Sequence, residues 1–177
     1  DARPISPLHY AVGNERVVDL LLKAGANPNA CSLSRYTPLH SAAARPDGYG
    51  SVKRLLVAGA FVDPVAYDKL IDFVVTPLSL AALSAEERTV ALLLEHGASA
   101  TISNSAPVAN AVFAGRERIV RLLVAHGGSV NCSDNFAGHA LNIALYSQHR
   151  QLVPYLLEQG VDLHQKSLFG SEGVPPM

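Results

Sequence analysis

The sequence has no tryptophan, a single methionine and two cysteines in 177 residues. Cys31 and Cys132 are too few and too far apart for a disulfide-dense scaffold or a Cys-rich zinc module, and they suit a reducing compartment, cytoplasmic or nuclear. Charge is also scarce. Asp, Glu, Lys and Arg make up 16 % of the chain, against about 25 % in ordinary soluble domains. The 14 basic and 15 acidic residues balance to a formal charge of -1, which excludes the basic surplus of a nucleic-acid surface and of a membrane-surface helix. Long apolar runs are missing too: the longest uncharged stretch, Gly97 to Gly115, is rich in Ser, Asn, Thr and Pro and cannot be a membrane span. The chain opens at Asp1 without a methionine, so a segment of a longer protein is expected.

What the chain has is self-similarity. An apolar run followed by Gly and a small residue occurs at LLKAGA (Gly25), LLVAGA (Gly59), LLEHGA (Gly97), LLVAHGG (Gly127) and YLLEQGV (Gly160), at spacings of 34, 38, 30 and 33. Upstream of each Gly stands a matching segment: SPLHYAV from Ser6, TPLHSAA from Thr37, TPLSLAA from Thr76, APVANAV from Ala106 and HALNIAL from His139. Such a repeat must be read as one supersecondary unit stacked on copies of itself.

The third copy shows the physics of the unit. Thr76 can cap a helix whose first residue, Pro77, has no N–H to leave orphaned. Leu78, Ala81 and Ala82 then make a short helix with a small, apolar face. The polar stretch 84–88 breaks it, Val90, Leu92, Leu93 and Leu94 form a second helix, and Gly97 supplies a left-handed cap. Ala98 to Ser105 has no helical period and reads as an extended turn or hairpin.

These residues resemble the ankyrin repeat family, whose fingerprint is a T-P-L-H helix start and an L-L-x-x-G-A helix end. The resemblance covers residues 5–171. It implies an all-α solenoid of stacked helix-turn-helix units with hairpin fingers, with repeats near 5–36, 37–75, 76–105, 106–138 and 139–171 and a tail at 172–177.

The departures from that pattern carry information. The first repeat is two residues short between its helices, and the second has an expanded loop at Arg45 to Gly50. The finger Phe61 to Val75 is overlong. Its Asp63-Pro64 reads as an N-cap and first helical residue, so a helical turn carrying Tyr67, Leu70 and Ile71 is expected there. The next finger, Ala98 to Ser105, is short. Repeat four has Ala106 in place of Thr, and repeat five carries Pro154 near the first turn of its second helix, where the missing donor is tolerable. The last helix pair, with Leu152, Leu156 and Leu157, lacks a polar cap, so either the chain continues or a partner covers this end, and continuation is the favoured expectation.

The residues that could carry chemistry have structural readings. The resemblance implies that His9 and His40 hydrogen-bond Thr and backbone between adjacent turns. His96 and His126 precede capping glycines, where a positive end suits the helix dipole. His139, His149 and His164 fall at unrelated positions and form no metal-ligand pair. No nucleophile elbow, phosphate loop or H-E-x-x-H is present, so neither an enzyme nor a cofactor or metal site is expected. Asn29 and Asn131 each lie eight residues after a Leu (Leu21, Leu123). That spacing is similar to ankyrin fingers modified by an asparaginyl hydroxylase, while the residues alone suggest turn-stabilising amides.

What remains is a surface. The resemblance implies a protein partner on the concave face formed by the first helices and the fingers, and a monomer that touches neither nucleic acid nor a membrane interior. At the position after T-P-L-H stand Tyr10, Ser41, Leu80, Asn110 and Ile143; three residues on stand Gly13, Ala44, Leu83, Phe113 and Tyr146. The fingers add Arg35, Tyr36, Tyr67, Lys69, Asp134, Asn135 and Phe136. Phe113, Tyr146 and Phe136 form an aromatic set of the kind that dominates interfaces, unless Phe113 and Tyr146 simply fill gaps between repeats. Such a module could serve as a scaffold, as the substrate-recruiting arm of a ubiquitin-ligase receptor, or as a cis-regulatory domain of an enzyme or channel.

Overall fold

Each repeat begins with a helix too short to be stable alone, and side chains close its first turn. In the second repeat the Thr37 side chain accepts from the backbone of His40, and His40 Nδ1 accepts in return from the Thr37 N–H at 3.1 Å, a capping box with an imidazole in the usual place of Glu. In the third, Thr76 Oγ1 accepts from the Ser79 N–H at 3.2 Å and Ser79 Oγ accepts from the Thr76 N–H at 3.0 Å. These starts open α3 (Pro38–Ala43) and α5 (Pro77–Ser84). Equivalent helices are α1 (Pro7–Ala11), α7 (Ile102–Phe113) and α9 (Ala140–Tyr146).

The second helices are α2 (Glu15–Lys23), α4 (Tyr49–Val57), α6 (Glu87–Glu95), α8 (Glu117–Ala125) and α10 (Val153–Glu158), the last entered through a 3-10 turn at Arg150–Leu152. Pro154 falls in the first turn of α10 as expected. The capping glycines behave as their motif requires. Gly97 has φ +88, and the N–H of the next residue, Ala98, reaches back to the Leu93 carbonyl at 2.9 Å. The computed structural model describes residues 5–68, 73–84, 87–132 and 139–163.

The helices stack in two layers. The first helices pack on one another in repeat order, and so do the second helices. One continuous core runs between the layers from Leu8 through Leu39, Leu55, Leu78, Leu93 and Leu123 to Leu156. Each of these leucines is wholly or almost wholly buried and contributes about 1.5–3 kcal/mol. An arginine ties each neighbouring pair of second helices. Arg54 reaches Glu15 at 2.7 Å, Arg88 lies 4.4 Å above the Tyr49 ring, Arg118 stands 3.7 Å from Glu87, and Arg121 lies 4.1 Å above the Tyr155 ring.

Two expectations are corrected. The overlong finger contains β1 (Ala66–Asp68) and β2 (Phe73–Val75), paired antiparallel with Tyr67 opposite Val74, in place of a helical turn. Asp63 does not cap a helix: its Oδ2 accepts from the Ser99 N–H of the next finger at 2.9 Å, and this contact between repeats outweighs the local Asp-Pro signal. The second correction concerns Ala98 to Ser105, whose last four residues are helical because α7 starts at Ile102. The shortened segment has too little chain to run out to a finger tip and back. A helical turn satisfies its backbone groups without a partner strand.

The fingers are latched by side-chain amides. Asn29 Nδ2 donates to the Gly59 carbonyl at 2.9 Å, and Asn29 Oδ1 accepts from the Phe61 N–H at 2.8 Å. Asn131 repeats the arrangement with Gly160 at 3.4 Å and Asp162 at 2.7 Å. The amides therefore bridge to the following repeat, which corrects their reading as turn-stabilising groups: Asn27 Oδ1 and Ser129 Oγ accept from the Asn29 and Asn131 N–H groups at 2.9 and 3.1 Å within the turns themselves. Asn29→Ala is expected to cost about 1 kcal/mol, read as a lower urea midpoint; an unchanged midpoint would remove the latch from the stability of the stack.

Candidate protein-binding face

The inner helices turn three kinds of side chain outward. Where T-P-L-H gives way to the next residue, Tyr10 is 76 % exposed, while Ser41, Leu80 and Asn110 are half-buried. Asn110 is partly committed to structure, its Nδ2 donating to the Ser79 carbonyl at 2.8 Å. Ile143, expected in the same row, is fully buried. Leu141 of the same helix is left half-exposed, and the burial of Ile143 removes it from the face.

One turn on, the row is more open. Gly13 and Ala44 are exposed, Leu83 is 39 % exposed, Phe113 52 % and Tyr146 70 %. The reading of Phe113 and Tyr146 as fillers between repeats is thereby excluded, since filling would bury them. Phe113 is held in place from the next repeat: His149 Nε2 donates to its carbonyl at 3.0 Å, and the imidazole packs over Gly115, where a Cβ would lie 2.6 Å from the ring. Gly115 also has φ +66, so its identity is set by backbone and neighbour alike.

On the fingers, Arg35 is exposed in a left-handed turn at φ +62. Tyr36 is half-buried, its ring centroid 5.0 Å from that of His40, and its carbonyl accepts from His9 Nε2 at 3.0 Å. Its role is therefore at least partly structural. Tyr67 is 41 % exposed on β1, and its N–H joins the previous finger at the Ser34 carbonyl, 3.1 Å away. Lys69, Asp134, Asn135 and Phe136 lie outside the described residues, as do Leu70, Ile71 and His164.

The six described histidines are accounted for by structure. His9 and His40 bond the backbone just before the next repeat, at Tyr36 and Val75, and His96 and His126 bond the carbonyls of Leu92 and Leu122 at their helix ends. His139 Nδ1 donates to the Cys132 carbonyl at 3.2 Å. Among the described residues no group of His, Cys, Asp or Glu is placed to hold a metal ion. No described helix is long and apolar enough to cross a membrane.

A model of three ankyrin repeat copies matches residues 78–167, and the single ankyrin repeat model matches 5–33 and 34–69. The chain belongs to the ankyrin repeat family. Its ankyrin stack is similar to the crystal structure of the human ASB11 ankyrin repeat domain, at 29 % identity and a TM-score of 0.79 over 91 % of this chain and 72 % of that one. No curated protein matches the chain in sequence. Ankyrin repeats are generally non-catalytic protein-interaction modules.

Sequence reasoning missed two features of the ankyrin face. Arg116 and Arg150 stand just past Phe113 and Tyr146, exposed, and no carboxylate among the described residues pairs with either. A basic residue just past the first helix in two successive repeats, three residues after Phe113 and four after Tyr146, was the available signal. At the end of the described array, Leu145 and Leu157 are 51 % and 48 % exposed. In earlier repeats the same positions carry side chains such as Ala82 and Leu94, which are buried.

Proposed function

We propose that this chain binds a partner protein non-catalytically through the inner-helix face and fingers of its ankyrin stack, as part of a larger protein. The observation that carries the reading is the set of exposed aromatic rings, Tyr10, Phe113 and Tyr146, in equivalent rows of the inner layer. Large rings left in water cost stability and are the side chains that dominate protein interfaces. The exposed free thiol of Cys31 supports a reducing compartment, cytoplasmic or nuclear.

The test is capture from cells by this chain, compared with the Phe113→Ala/Tyr146→Ala variant. Truncating two interface anchors is expected to weaken capture by at least about tenfold. Because both rings are more than half exposed, the melting temperature should barely move. Equal capture by the folded double variant would sink the proposal. The identity of the captured protein separates a scaffold from a substrate-recruiting arm of a ubiquitin-ligase receptor or a cis-regulatory domain.

A further inference from the structure

We infer that the C-terminal half of this face takes an acidic segment of a partner protein, anchored by apolar side chains. The inference rests on the proposed function and specifies its partner. The rings of Phe113 and Tyr146 stand one repeat apart; Arg116, three residues past Phe113, is the N-cap of α8, and Arg150, four residues past Tyr146, opens the 3-10 turn before α10. The nearby carboxylates are already committed: Glu117 Oε1 accepts from Arg121 at 2.9 Å, and Glu87 lies 3.7 Å from Arg118. Arg118 is itself 86 % exposed and holds that partner only at long range. Among the described residues the rim beside the two rings therefore carries positive charge that no carboxylate pairs with, on a chain whose formal net charge is -1.

In the first two repeats Arg16, Arg35 and Lys53 also lack a paired carboxylate among the described residues, but the basic group past the second repeat's first helix and those between the second helices are paired. There Arg54 serves Glu15 and Asp19, Asp19 also holds Lys23, and Arg45 is paired with Asp47 at 2.9 Å. Apolar rings edged by free guanidinium groups are the complement of a segment in which apolar side chains alternate with Asp or Glu. The guanidinium fork would take a carboxylate in two bonds, and the rings would bury the apolar side chains. A bare polyanion would use the charge and leave the rings idle.

The experiment pans a random dodecapeptide library on the chain, then measures the enriched peptides by fluorescence anisotropy against wild type, Phe113→Ala/Tyr146→Ala and Arg116→Glu/Arg150→Glu. Both reversals sit at the first turn of a helical segment, where a carboxylate suits the dipole, so the fold is expected to survive and is checked by circular dichroism. Enriched peptides should carry excess Asp and Glu among apolar residues, bind about tenfold more weakly to the charge-reversed variant, and weaken as salt rises. Peptides with no acidic excess, affinity indifferent to the reversals, or no enrichment at all would overturn the inference. Loss with the ring variant but not with the reversals would keep the proposed function and discard the acidic partner. Indifference to the ring variant would discard both, and heparin binding that needs the arginines but not the rings would mark a polyanion site instead.

Discussion

Acidification from pH 7 to pH 4 is expected to cost the folded stack about 3 kcal/mol through His40 alone. His40 is fully buried, and burial lowers its pKa from 6.5 to about 4. The carbonyls of Val75 and Pro64 pull it upward without restoring it, and the charge of His9 adds a smaller push down. The neutral ring is also what the structure uses: Nδ1 accepts from the Thr37 N–H, which leaves the proton on Nε2 for the Val75 carbonyl at 3.3 Å. The unfolded chain takes up a proton near pH 6.5 and the folded one only near pH 4, so stability is fully present above pH 6.5 and falls between the two values. His40→Gln keeps a side chain able to close the capping box and cannot titrate. Urea unfolding at stepped pH should show wild type losing about 3 kcal/mol more than His40→Gln between pH 7 and pH 4. Parallel profiles for the two proteins would refute the assignment.

Asp63→Asn is expected to stabilise the stack by about 2 kcal/mol at pH 7. Asp63 occupies the place in its finger that Asn29 and Asn131 hold in theirs, four residues past the capping glycine. Its Oδ2 accepts from Ser99 as the Asn oxygens accept from Phe61 and Asp162, but Oδ1 is buried without a hydrogen-bond partner. The amide of Asn29 donates to the Gly59 carbonyl, and Gly97 is the equivalent glycine for Asp63. An asparagine would supply that donor and end the orphaned acceptor.

The pH dependence follows. Burial raises the Asp63 pKa, partly offset by the Ser99 N–H. Its stabilising, protonated form is thus fully present below the unfolded carboxylate range and is lost as pH rises through the folded value. The gain from Asp63→Asn should therefore be largest near neutrality and shrink as pH falls toward 3.8. A variant no more stable than wild type at pH 7 would show that the finger needs no donor there.

The repeat register made much of this legible. The T-P-L-H starts and L-L-x-x-G-A ends are local: Thr37 and His40 close one turn of chain, and Gly97 needs only its own left-handed φ. A motif whose hydrogen bonds fall within five residues can be read without a fold. The shared exposure of Phe113 and Tyr146 was legible for a related reason, because they hold the same place in repeats four and five.

The failures occur where one repeat acts on another. Asp63-Pro64 has the local chemistry of a helix start, yet its carboxylate is engaged by Ser99, 36 residues on, and the finger forms a hairpin. Ser-rich 102–105 has the composition of a loop, yet it is helical where the finger is too short to pair. Ile143 shares the register of exposed Tyr10, yet it is fully buried in the core. The unit, its copies and its caps were determined by sequence alone, because they depend on backbone conformation and bonds within a turn. Which copy departs from the unit, and which side chains stay free to meet a partner, was decided only by tertiary structure, because burial and hydrogen-bond competition between stacked repeats are properties of neighbours that no single repeat contains.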